Sequence, residues 1–504
     1  MKREGCTGNG ISDAKTVQMR GSLYRKKYRQ PEFEKFYLPF GGKLRSDNRW
    51  VVMAKFMPWD EVEQRYAMQF SDCQIGAPAK SARVALGALM IKERLKTTDE
   101  ETVEQIKENP YLQYFLGYQY YSDEQPFDPS MMVHFRKRFR LEDLTHFQEE
   151  LKRRLEAIEK KEPHDKGGGG GGGNQGKLLV DATVTPADIR FPTDISLLNE
   201  AREKTEGVID TLHAPLRGEE EKVRTYRQKA RKDYLAFAKA KKKNRRTIRR
   251  ALGKQLRYVR RNLRNIKELS TKVSLSTLSR RDYKELLVIA ELYRQQELMY
   301  RGKTHRVDDR IVSISQPHVR PIVRGKAGAE VEFGAKISVS CVDGMCFVDR
   351  LSWDAYNEGQ DLIGQIENYH KRFNFYPESV HVDKIYRTRE NREYCRVRGI
   401  RITGPALGRP KEKWESEKVR REERHRRRQD ELDRIPIEGQ FGVSKRKYSL
   451  DCVKAKLAET SDTVIGVVML VMGLERLLRA LFCPLLLIIR GASSRSDKLS
   501  FVAA

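Results

Sequence analysis

The sequence predicts an α/β (α+β) protein in which a helical N-terminal domain precedes a mixed sheet flanked by helices. Three observations predict this fold class. Helix signals fill residues 31–160, strand signals begin after a run of seven glycines, and a long basic helical insertion at about 203–304 separates the first strand from the others. The 504 residues are enough for about two to four domains and a large core.

The charge balance predicts a polyanionic partner. The chain carries 99 Lys and Arg against 70 Asp and Glu, a formal net charge of +29. Such a surplus is typical of proteins that bind nucleic acid or an acidic membrane surface, although a merely soluble basic protein has the same balance. We favour nucleic acid because the charge is concentrated, with 12 Lys or Arg and no acid in residues 239–261.

Residues 31–160 are predicted to form a helical DNA-binding domain, and the polar, basic residues 1–30 are expected to be disordered. Thr98 begins a capping box at the start of one helix, and Asp128-Pro129-Ser130 opens another. The second helix would have an apolar inner face and a basic outer face, which suits a helix-turn-helix, although any solvated basic helix has this pattern. The predicted outer face consists of Arg136, Lys137, Arg138 and Arg140, with Arg136 and Arg138 expected to contact DNA.

Residues 161–176 are predicted to be a linker, because seven consecutive glycines cannot hold regular structure. The insertion at 203–304 should contain a helix with one apolar stripe and a cationic remainder that lies along phosphates; a solvated helical hairpin is the alternative. The stripe consists of Ile248, Leu252, Leu256, Val259, Leu263 and Ile266. The cations expected to contact DNA are Lys241, Lys242, Arg245, Arg246, Arg249 and Arg250.

Strand and turn signals define the rest of the sheet. The apolar run at 178–180 ends on Asp181, and residues 310–314 alternate as a strand does. Two further alternating runs are joined by Asp343-Gly344, which is a strong hairpin signal. The other predicted elements are a helix at 359–371, a strand at 379–383, a basic helix at about 388–397, a strand at 400–402 and a charge run at 411–433.

The cysteines and the apolar segments favour a reducing, cytoplasmic compartment without a membrane anchor. Seven scattered cysteines form no CxxC pair, and the first ten residues lack the apolar core of a signal peptide. Residues 464–489 are very apolar, but Glu475, Arg476 and Arg479 interrupt them. We therefore predict a buried helix that ends near Phe482, followed by a tail at 483–504 that is expected to be disordered from Arg490.

Three carboxylates are predicted to share a site. Asp181 and Asp383 end strands that can be neighbours in the sheet, and Glu438 follows Pro436, which suits the first turn of a helix. Three close carboxylates repel one another, so two Mg²⁺ ions, for which Mn²⁺ should substitute, are expected to compensate the charge. Strand alternation also allows His381 to support this site, although a purely structural role is favoured.

Two cations accompany Glu438. Arg434 lies four residues before it and Lys445 seven residues after it, so all three would share one face of a helix. An acid between two cations suits a metal ligand beside a phosphate chain. A surface row of salt bridges would have the same spacing.

These residues resemble the bacterial insertion-sequence transposases of the DDE type, in the insertion-sequence-five family. The resemblance covers roughly residues 30–480. It is carried by LLVDATVTPADIRFPTDISLLNEAREK, VRPIVRGKAGAEVEFGAKISVS, VDKIYRTRENREY with RITGPALGRP, and RIPIEGQFGVSKRKY. The resemblance implies an RNase H-like catalytic domain built from residues 177–202 and 305–482, with Asp181, Asp383 and Glu438 as the catalytic, metal-binding triad.

The family's C-terminal signature is Tyr, two residues, Arg, three residues, Glu, six residues, then Lys or Arg. Arg434, Glu438 and Lys445 match it, whereas Glu431 stands at the Tyr position. Asp188 and Asp194 are alternative candidates for the first acid of the triad. They follow the strand rather than end it, and the motif match falls on Asp181.

The resemblance implies a nucleoid-associated DNA transposase that acts on DNA rather than on a small-molecule substrate. It would bind the terminal inverted repeats of its own element as a homodimer and carry out phosphodiester hydrolysis and strand transfer. Two alternatives stay open. One is an inactive DNA-binding relic or repressor. The other is a related nuclease that cuts DNA without joining it.

Overall fold

The computed structural model describes residues 38, 42–70, 78–159, 173–326, 329–404 and 416–499. The predicted disordered N-terminus and most of the predicted glycine-rich linker lie outside these residues. The helices are α1 (Arg49–Phe56), α2 (Trp59–Ala67), α3 (Ala82–Leu95), α4 (Asp99–Glu108), α5 (Pro110–Phe115), α6 (Met131–Arg138), α7 (Leu141–Glu159), α8 (Asp194–His213), α9 (Arg227–Lys239), α10 (Arg245–Ser270), α11 (Arg280–Gly302), α12 (Leu362–Phe373), α13 (Arg389–Val397), α14 (Glu417–Lys447) and α15 (Ala458–Leu499). The strands are β1 (Lys177–Pro186), β2 (Arg320–Lys326), β3 (Ala329–Val342), β4 (Met345–Ser352), β5 (Ser379–His381) and β6 (Arg401–Ile402).

The six strands form one mixed sheet with the order β2-β3-β1-β5-β6, and β4 also pairs with β3. Strand β1 is antiparallel to β3 and parallel to β5, which is in turn parallel to β6. Helices α12 and α13 pack on one face of this sheet, over a core that includes Leu178, Val180 and Val380. The prediction of an α/β (α+β) fold with an RNase H-like mixed sheet is confirmed.

The N-terminal helices share a hydrophobic core with the sheet. Helix α15 packs against α3, α6, α7 and β4. The shared core contains Trp50 and Phe115 from the N-terminal helices, Val339 from β3 and Leu470 from α15. Among the described helices, none is long and apolar enough to cross a membrane. Leu470 and Leu474 of α15 are fully buried, so the prediction of a buried helix in this apolar segment is confirmed.

Two local predictions concern the start of α4 and the hairpin turn. Thr98 caps α4, because its hydroxyl accepts a hydrogen bond from the backbone N–H of Glu101 at 3.1 Å; the Glu101 carboxylate accepts from the Gln105 amide at 2.8 Å, so only the N-cap half of the predicted capping box is found. Asp343 and Gly344 both have positive φ, at 50° and 78°, in the turn between β3 and β4. This is the backbone that a two-residue turn of type I′ requires, and Asp-Gly adopts it readily.

The insertion consists of long helices with two apolar cores of their own. The predicted apolar stripe runs along α10, where Leu256, Val259 and Ile266 are buried. Residues of α8 and α11 cover this stripe, with Leu198 and Leu292 fully buried. The prediction of an amphipathic basic helix in the insertion is confirmed.

The strand predicted at 310–314 is wrong. These residues form no strand, although Ile311, Val312 and Ile314 are buried as the alternation requires. The reason is that a side chain takes the place of a strand partner. The backbone N–H of Ile311 donates to the Gln295 side-chain oxygen of α11 at 3.0 Å. The segment therefore packs on the insertion rather than joining the sheet.

The predicted start of a helix at Pro436 is also wrong, because Pro436 lies inside the 31-residue helix α14. That helix begins after Ser416, whose hydroxyl accepts from the Val419 N–H at 3.3 Å. Ion pairs at helical spacing, such as Arg427 with Glu423 at 2.6 Å, support the charged first half. Pro436 is exposed, and it removes the single bond that its N–H would give to the Leu432 carbonyl.

Helix α15 continues past its predicted end near Phe482, and its backbone stays helical to Leu499. The predicted tail at 483–504 is thus helical over most of its length. Leucine and isoleucine residues follow Pro484, and leucine is among the strong helix formers.

Candidate active site

Asp181 lies in the middle of β1 rather than at its end, which corrects the sequence prediction. The strand runs on to Pro186, paired with β3 throughout. On the other side of β1, the parallel partner β5 is short. Its pairing covers only Lys177, Leu178 and Leu179 and ends at His381. Asp181 therefore lies where β1 has lost its neighbour, and this opening allows a carboxylate inside an otherwise buried strand.

Asp383 follows β5 at the same level as Asp181. Leu179 is paired with His381, so two further residues along each chain bring Asp181 level with Asp383. Because side chains alternate along a strand, Asp181 lies on the sheet face shared by Leu179 and His381, whereas Asp383 lies two residues beyond the end of β5, where alternation no longer fixes its side chain. The Asp383 carboxylate is exposed, and it accepts a hydrogen bond from the backbone N–H of Lys384 at 2.6 Å.

Helix α14 crosses this same face of the sheet. Asp430 pairs with Arg401 of β6 at 2.8 Å, and Asp433 pairs with Lys177 of β1 at 2.5 Å. Ile437, one turn further on, is fully buried. These contacts fix the position of α14 on the sheet. Glu438 lies five residues beyond Asp433, the residue that pairs with β1.

Asp181 and Glu438 interact electrostatically. Burial raises the pKa of the Asp181 carboxyl above its usual range, and the negative charges of Glu358 and Glu438 raise it further. A hydrogen bond from the Ala182 N–H and the charge of Arg434 act in the opposite direction. Glu438 itself is paired with Arg434 at 2.7 Å, so the predicted shared face of these two residues is real.

The two competing aspartates have structural partners. Asp188 pairs with Lys456 at 3.1 Å, and Asp194 accepts hydrogen bonds from Gln296 at 2.8 Å and Arg310 at 2.6 Å. Both anchor neighbouring segments to the loop after β1. Neither is drawn to the opening beside β5.

His381 is fully buried between the sheet and α14. Its Nε2 lies 3.1 Å from the Ser379 hydroxyl, and burial lowers the pKa of its imidazole. An uncharged, buried ring suits packing under α14. This agrees with the structural role favoured from the sequence.

Sequence reasoning missed two residues beside Asp181. Glu358 lies on a 3-10 turn at Glu358–Gln360, and Tyr386 lies on another at Lys384–Tyr386. Burial raises the pKa of the Tyr386 hydroxyl, and the charges of Glu358 and Asp181, together with Tyr356 and Asp361, raise it further. No catalytic pattern marked Glu358, because Asn357-Glu358-Gly359 has the composition of an ordinary turn.

The predicted outer face of α6 needs one correction. Arg136 is buried, and its guanidinium binds the Asp99 carboxylate of α4 at 2.5 Å, so it is not on the outer face. Asp99 opens α4, and a single-helix pattern cannot anticipate this partner 37 residues away. Arg138 is half-buried over the Phe70 ring at 4.0 Å, whereas Lys137 and Arg140 are exposed.

The cations predicted to contact DNA from the insertion are mostly exposed. Arg249 is the exception, because its guanidinium stacks on Tyr300 at 4.2 Å and donates to the Tyr300 carbonyl at 2.9 Å. On α14, Glu431 is exposed and Lys445 is half-buried. The exposed cations of the insertion are Lys241, Lys242, Arg245, Arg246 and Arg250.

The three predicted ligands suit a hard divalent cation, because all of them are carboxylates. Within the part of the chain that the structure describes, no three His, Cys, Asp or Glu side chains are gathered closely enough to hold a metal ion. Asp383 is held by its own turn and Glu438 by Arg434. Both contacts are local in sequence, and both Asp383 and Glu438 are exposed.

Two protein-family models match the chain. The family described as Transposase DDE domain matches residues 380–475, and the family described as Transposase domain matches residues 39–138. The chain is also 32% identical over 151 residues to an uncharacterized protein, ORF8 of the nfe locus of Rhizobium meliloti. That match covers 30% of this chain and 68% of the relative.

The chain belongs to the insertion-sequence DDE transposases. The resemblance seen in the sequence motifs is thereby confirmed. The DDE match contains Asp383 and Glu438 of this transposase, whereas Asp181 precedes the matched range. The family implies DNA as the partner of the transposase and divalent metals as its usual cofactors. No solved structure matches the chain.

Proposed function

We propose that this transposase binds the terminal inverted repeats of its insertion sequence, cleaves phosphodiester bonds there and joins the freed ends to target DNA. Water would attack the phosphorus and break its bond to the 3′ oxygen, which leaves a 3′-hydroxyl and a 5′-phosphate. The 3′-hydroxyl would then attack a target phosphodiester in line and displace a 3′ oxygen of the target strand.

The observation that carries this proposal is the opening beside β5. The parallel register of β1 and β5 runs from the Leu179–His381 pair towards Asp181 and Asp383, and α14 brings Glu438 into the electrostatic neighbourhood of Asp181. A buried, charge-crowded carboxylate needs a compensating cation to stay ionised. The family assignment supports the same site, because the DDE match contains two of the three acids.

Asp181, Asp383 and Glu438 would hold the divalent ions, for which Mg²⁺ is the expected species. When bound, such ions lower the pKa of an attacking water or hydroxyl and stabilise the leaving oxygen. Turning of Glu438 towards Asp181 would release Arg434, whose guanidinium is then free to bind a DNA phosphate. Lys445 lies seven residues after Glu438 on α14, and we assign it to a phosphate of the same DNA strand.

DNA would be held on both sides of this site. We assign Lys137, Arg138 and Arg140 near the N-terminal helices and the exposed cations at 241–250 to the DNA backbone. Joining two element ends requires both ends in one complex, so a dimer on DNA is part of the proposal. An inactive DNA-binding relic or repressor would use the same cations without cleavage.

The test uses a plasmid with the DNA that flanks this reading frame, purified protein and Mg²⁺. Asp181→Asn and Asp383→Ala should abolish cleaved ends and joined products, since each removes one negative charge from the site. Asp188→Asn is the matched control, because it changes an aspartate seven residues from Asp181 that pairs with Lys456. It should retain most of the activity.

Four outcomes are informative. Cleavage and joining by the wild type and Asp188→Asn alone would establish the proposed reaction and its site. Tight, salt-sensitive binding without cleavage, in Mg²⁺ and in Mn²⁺, would favour the relic or repressor. Cleaved ends without joined products would favour a nuclease, and cleavage that survives in Asp383→Ala would show that the triad is wrong.

A further inference from the structure

We propose that Glu358 is a fourth carboxylate of the catalytic site, which Lys336 holds until a divalent cation enters beside Asp181. This inference rests on the proposed function and deepens it. Neither the triad motif nor the family match contains Glu358, which precedes the matched range. Its place at the site follows from the packing of two turns, from its salt bridge and from a buried hydroxyl beside it.

The turn that carries Glu358 is packed against the turn that follows Asp383. Gly359 lies so close that a Cβ there would come 2.5 Å from the carbonyl oxygen of Ile385. Only glycine allows this backbone approach without a shift of one turn. Because Ile385 lies two residues after Asp383, the Glu358 turn borders the opening beside β5.

A buried amide fastens the two turns together. The side-chain amide of Asn391, which is 2% exposed, donates to the carbonyl oxygens of both Gly359 and Tyr386 at 2.7 Å. The Asn391 backbone is itself fixed by the N-cap hydroxyl of Thr388 at 3.2 Å. One side chain therefore sets the position of Glu358 relative to the Asp383 turn, which is a precise arrangement for a surface loop.

Glu358 has a cation of its own. Its carboxylate pairs with the Lys336 ammonium at 2.8 Å, and both side chains are largely buried, at 20% and 15% exposure. Lys336 also donates to the Tyr356 carbonyl at 3.0 Å. Glu438, the other glutamate in the electrostatic neighbourhood of Asp181, pairs with Arg434 at 2.7 Å. Asp181 is thus flanked by two glutamates, each neutralised by one cation.

The Tyr386 hydroxyl gives an independent indication of a ligand. Tyr386 is fully buried, and within the described residues its hydroxyl has no hydrogen-bond partner. A buried hydroxyl without a partner is costly, so native proteins normally satisfy it. Glu358 and Asp181 are among its electrostatic neighbours, together with Tyr356 and Asp361, so the unpartnered hydroxyl lies in the neighbourhood of both acids. A water of a hydrated cation held by both acids would satisfy it.

In this arrangement Lys336 keeps Glu358 compensated while the site is free. Entry of a cation would let Glu358 exchange its ammonium partner for the ion, as Glu438 would exchange Arg434. Lys336 and Arg434 would then both lose their carboxylate partner, and Arg434 would be free to bind a DNA phosphate. The exchange couples cation binding to DNA binding, and no bond is made or broken in it.

The test is Mn²⁺ binding by isothermal titration calorimetry on the full chain, with thermal unfolding of each variant as the check on folding. Glu358→Gln should weaken Mn²⁺ binding by about tenfold, because it removes a carboxylate that reaches the ion. Lys336→Met should tighten it by about threefold, because it removes the competing cation. Tyr386→Phe should weaken binding without lowering the melting temperature, since its hydroxyl has no protein partner among the described residues.

Glu393→Gln is the matched control, because it breaks a glutamate–arginine pair on α13 that is exposed. Opposite effects of Glu358→Gln and Lys336→Met would support the inference, whereas a purely structural pair predicts unchanged Mn²⁺ binding and similar losses of stability. If Asp181→Asn abolishes Mn²⁺ binding and Glu358→Gln leaves it unchanged, only this inference is wrong. If the wild type binds no Mn²⁺, the proposed function loses its site as well.

Discussion

Single residues in this transposase show how burial changes the charge state of an acid. Asp462 lies in the first turns of α15, where its carboxylate accepts a hydrogen bond from the Trp353 indole N–H at 3.2 Å. Burial raises the pKa of Asp462 to about 6, and the charges of Glu142 and Glu459 contribute to the rise. Among the residues that the structure describes, the Trp353 hydrogen bond alone favours the charged form. Asp462 therefore differs from Asp181, for which the proposed cation supplies the compensation.

We expect Asp462→Asn to stabilise the protein above pH 6. The folded state binds the Asp462 proton more tightly than the unfolded state, so this group lowers the free energy of unfolding as pH rises from about 4 to about 6. The asparagine variant lacks this loss and keeps an oxygen for Trp353. It should be more stable than the wild type by about 1–2 kcal/mol at pH 7.5, and by less at pH 5.

Urea denaturation at both pH values measures this difference. Glu422→Gln serves as the control, because Glu422 is an exposed acid on α14. A stability gain that is the same at pH 5 and pH 7.5 would contradict the assignment. It would mean that the substitution improves packing or helix propensity rather than removing a titrating charge.

At the scale of elements, the pairing of β1 with β3 depends on one glycine. Gly334 is opposite Pro186 of β1 and also pairs with Arg320 of β2. A Cβ at this position would lie 2.1 Å from the Thr185 carbonyl oxygen and 2.8 Å from the Pro186 Cα. Both are backbone atoms, so relief requires the strands to move apart. The strand that carries Asp181 is thus aligned by a residue 153 positions away in sequence (334 − 181 = 153).

Gly334→Ala is expected to destabilise the protein by about 2–3 kcal/mol, because the central strands must separate locally. Gly364→Ala is the matched control. Gly364 lies in α12, and a Cβ added there would meet nothing within 4 Å, so alanine should stabilise that helix by about 0.5–1 kcal/mol. Urea denaturation of the two variants decides the matter. Equal stabilities would mean that β1 and β3 accommodate the methyl group without loss of pairing.

Elements with local signals could be predicted from the sequence, and those with distant partners could not. The Asp343-Gly344 turn and the stripe of α10 depend on neighbours in the chain, and both are confirmed. Residues 310–314 have a strand pattern, but Gln295 takes the backbone bond of Ile311. That contact depends on how the insertion packs, which no local pattern reveals.

The acids of the candidate site divide in the same way. Asp181, Asp383 and Glu438 carry motifs that can be read in order along the chain. Glu358 carries no motif, and it comes to the site because Gly359 and Asn391 hold two turns together. Burial and pairing bring it there, and neither can be read from residue type.

Arg136 shows the opposite case. It has the sequence signal of a DNA-binding residue, because it lies in a run of cations on a short helix. In the fold, the Arg136 side chain is buried and its guanidinium pairs with the Asp99 carboxylate. The partner lies on another helix, so the pattern of α6 alone could not separate a buried cation from an exposed one.

On the scale of the whole molecule, the surplus of +29 is unevenly distributed. Much of the basic charge on α11 and its surroundings is neutralised by acids, as in the pairs Arg294 with Glu291 at 2.7 Å and Arg301 with Glu297 at 2.8 Å. The start of α10 and the loop before it are different. Lys241, Lys242 and Arg246 are exposed there, and among the residues that the structure describes no acid forms a salt bridge with them.

We expect these three cations to account for a defined part of the salt dependence of DNA binding. Each phosphate contact releases condensed counterions, so replacing Lys241, Lys242 and Arg246 by Gln should lower the slope of log K against log salt by about 2–3. The matched control replaces Lys272, Arg294 and Arg301 by Gln, which removes the same charge from cations paired with acids. Fluorescence anisotropy with duplex DNA at several salt concentrations gives both slopes. If the two triple variants lose the same slope, net charge rather than a DNA path along α10 governs binding. A loss confined to the first variant places the phosphate backbone on the insertion, next to the sheet that carries the acids.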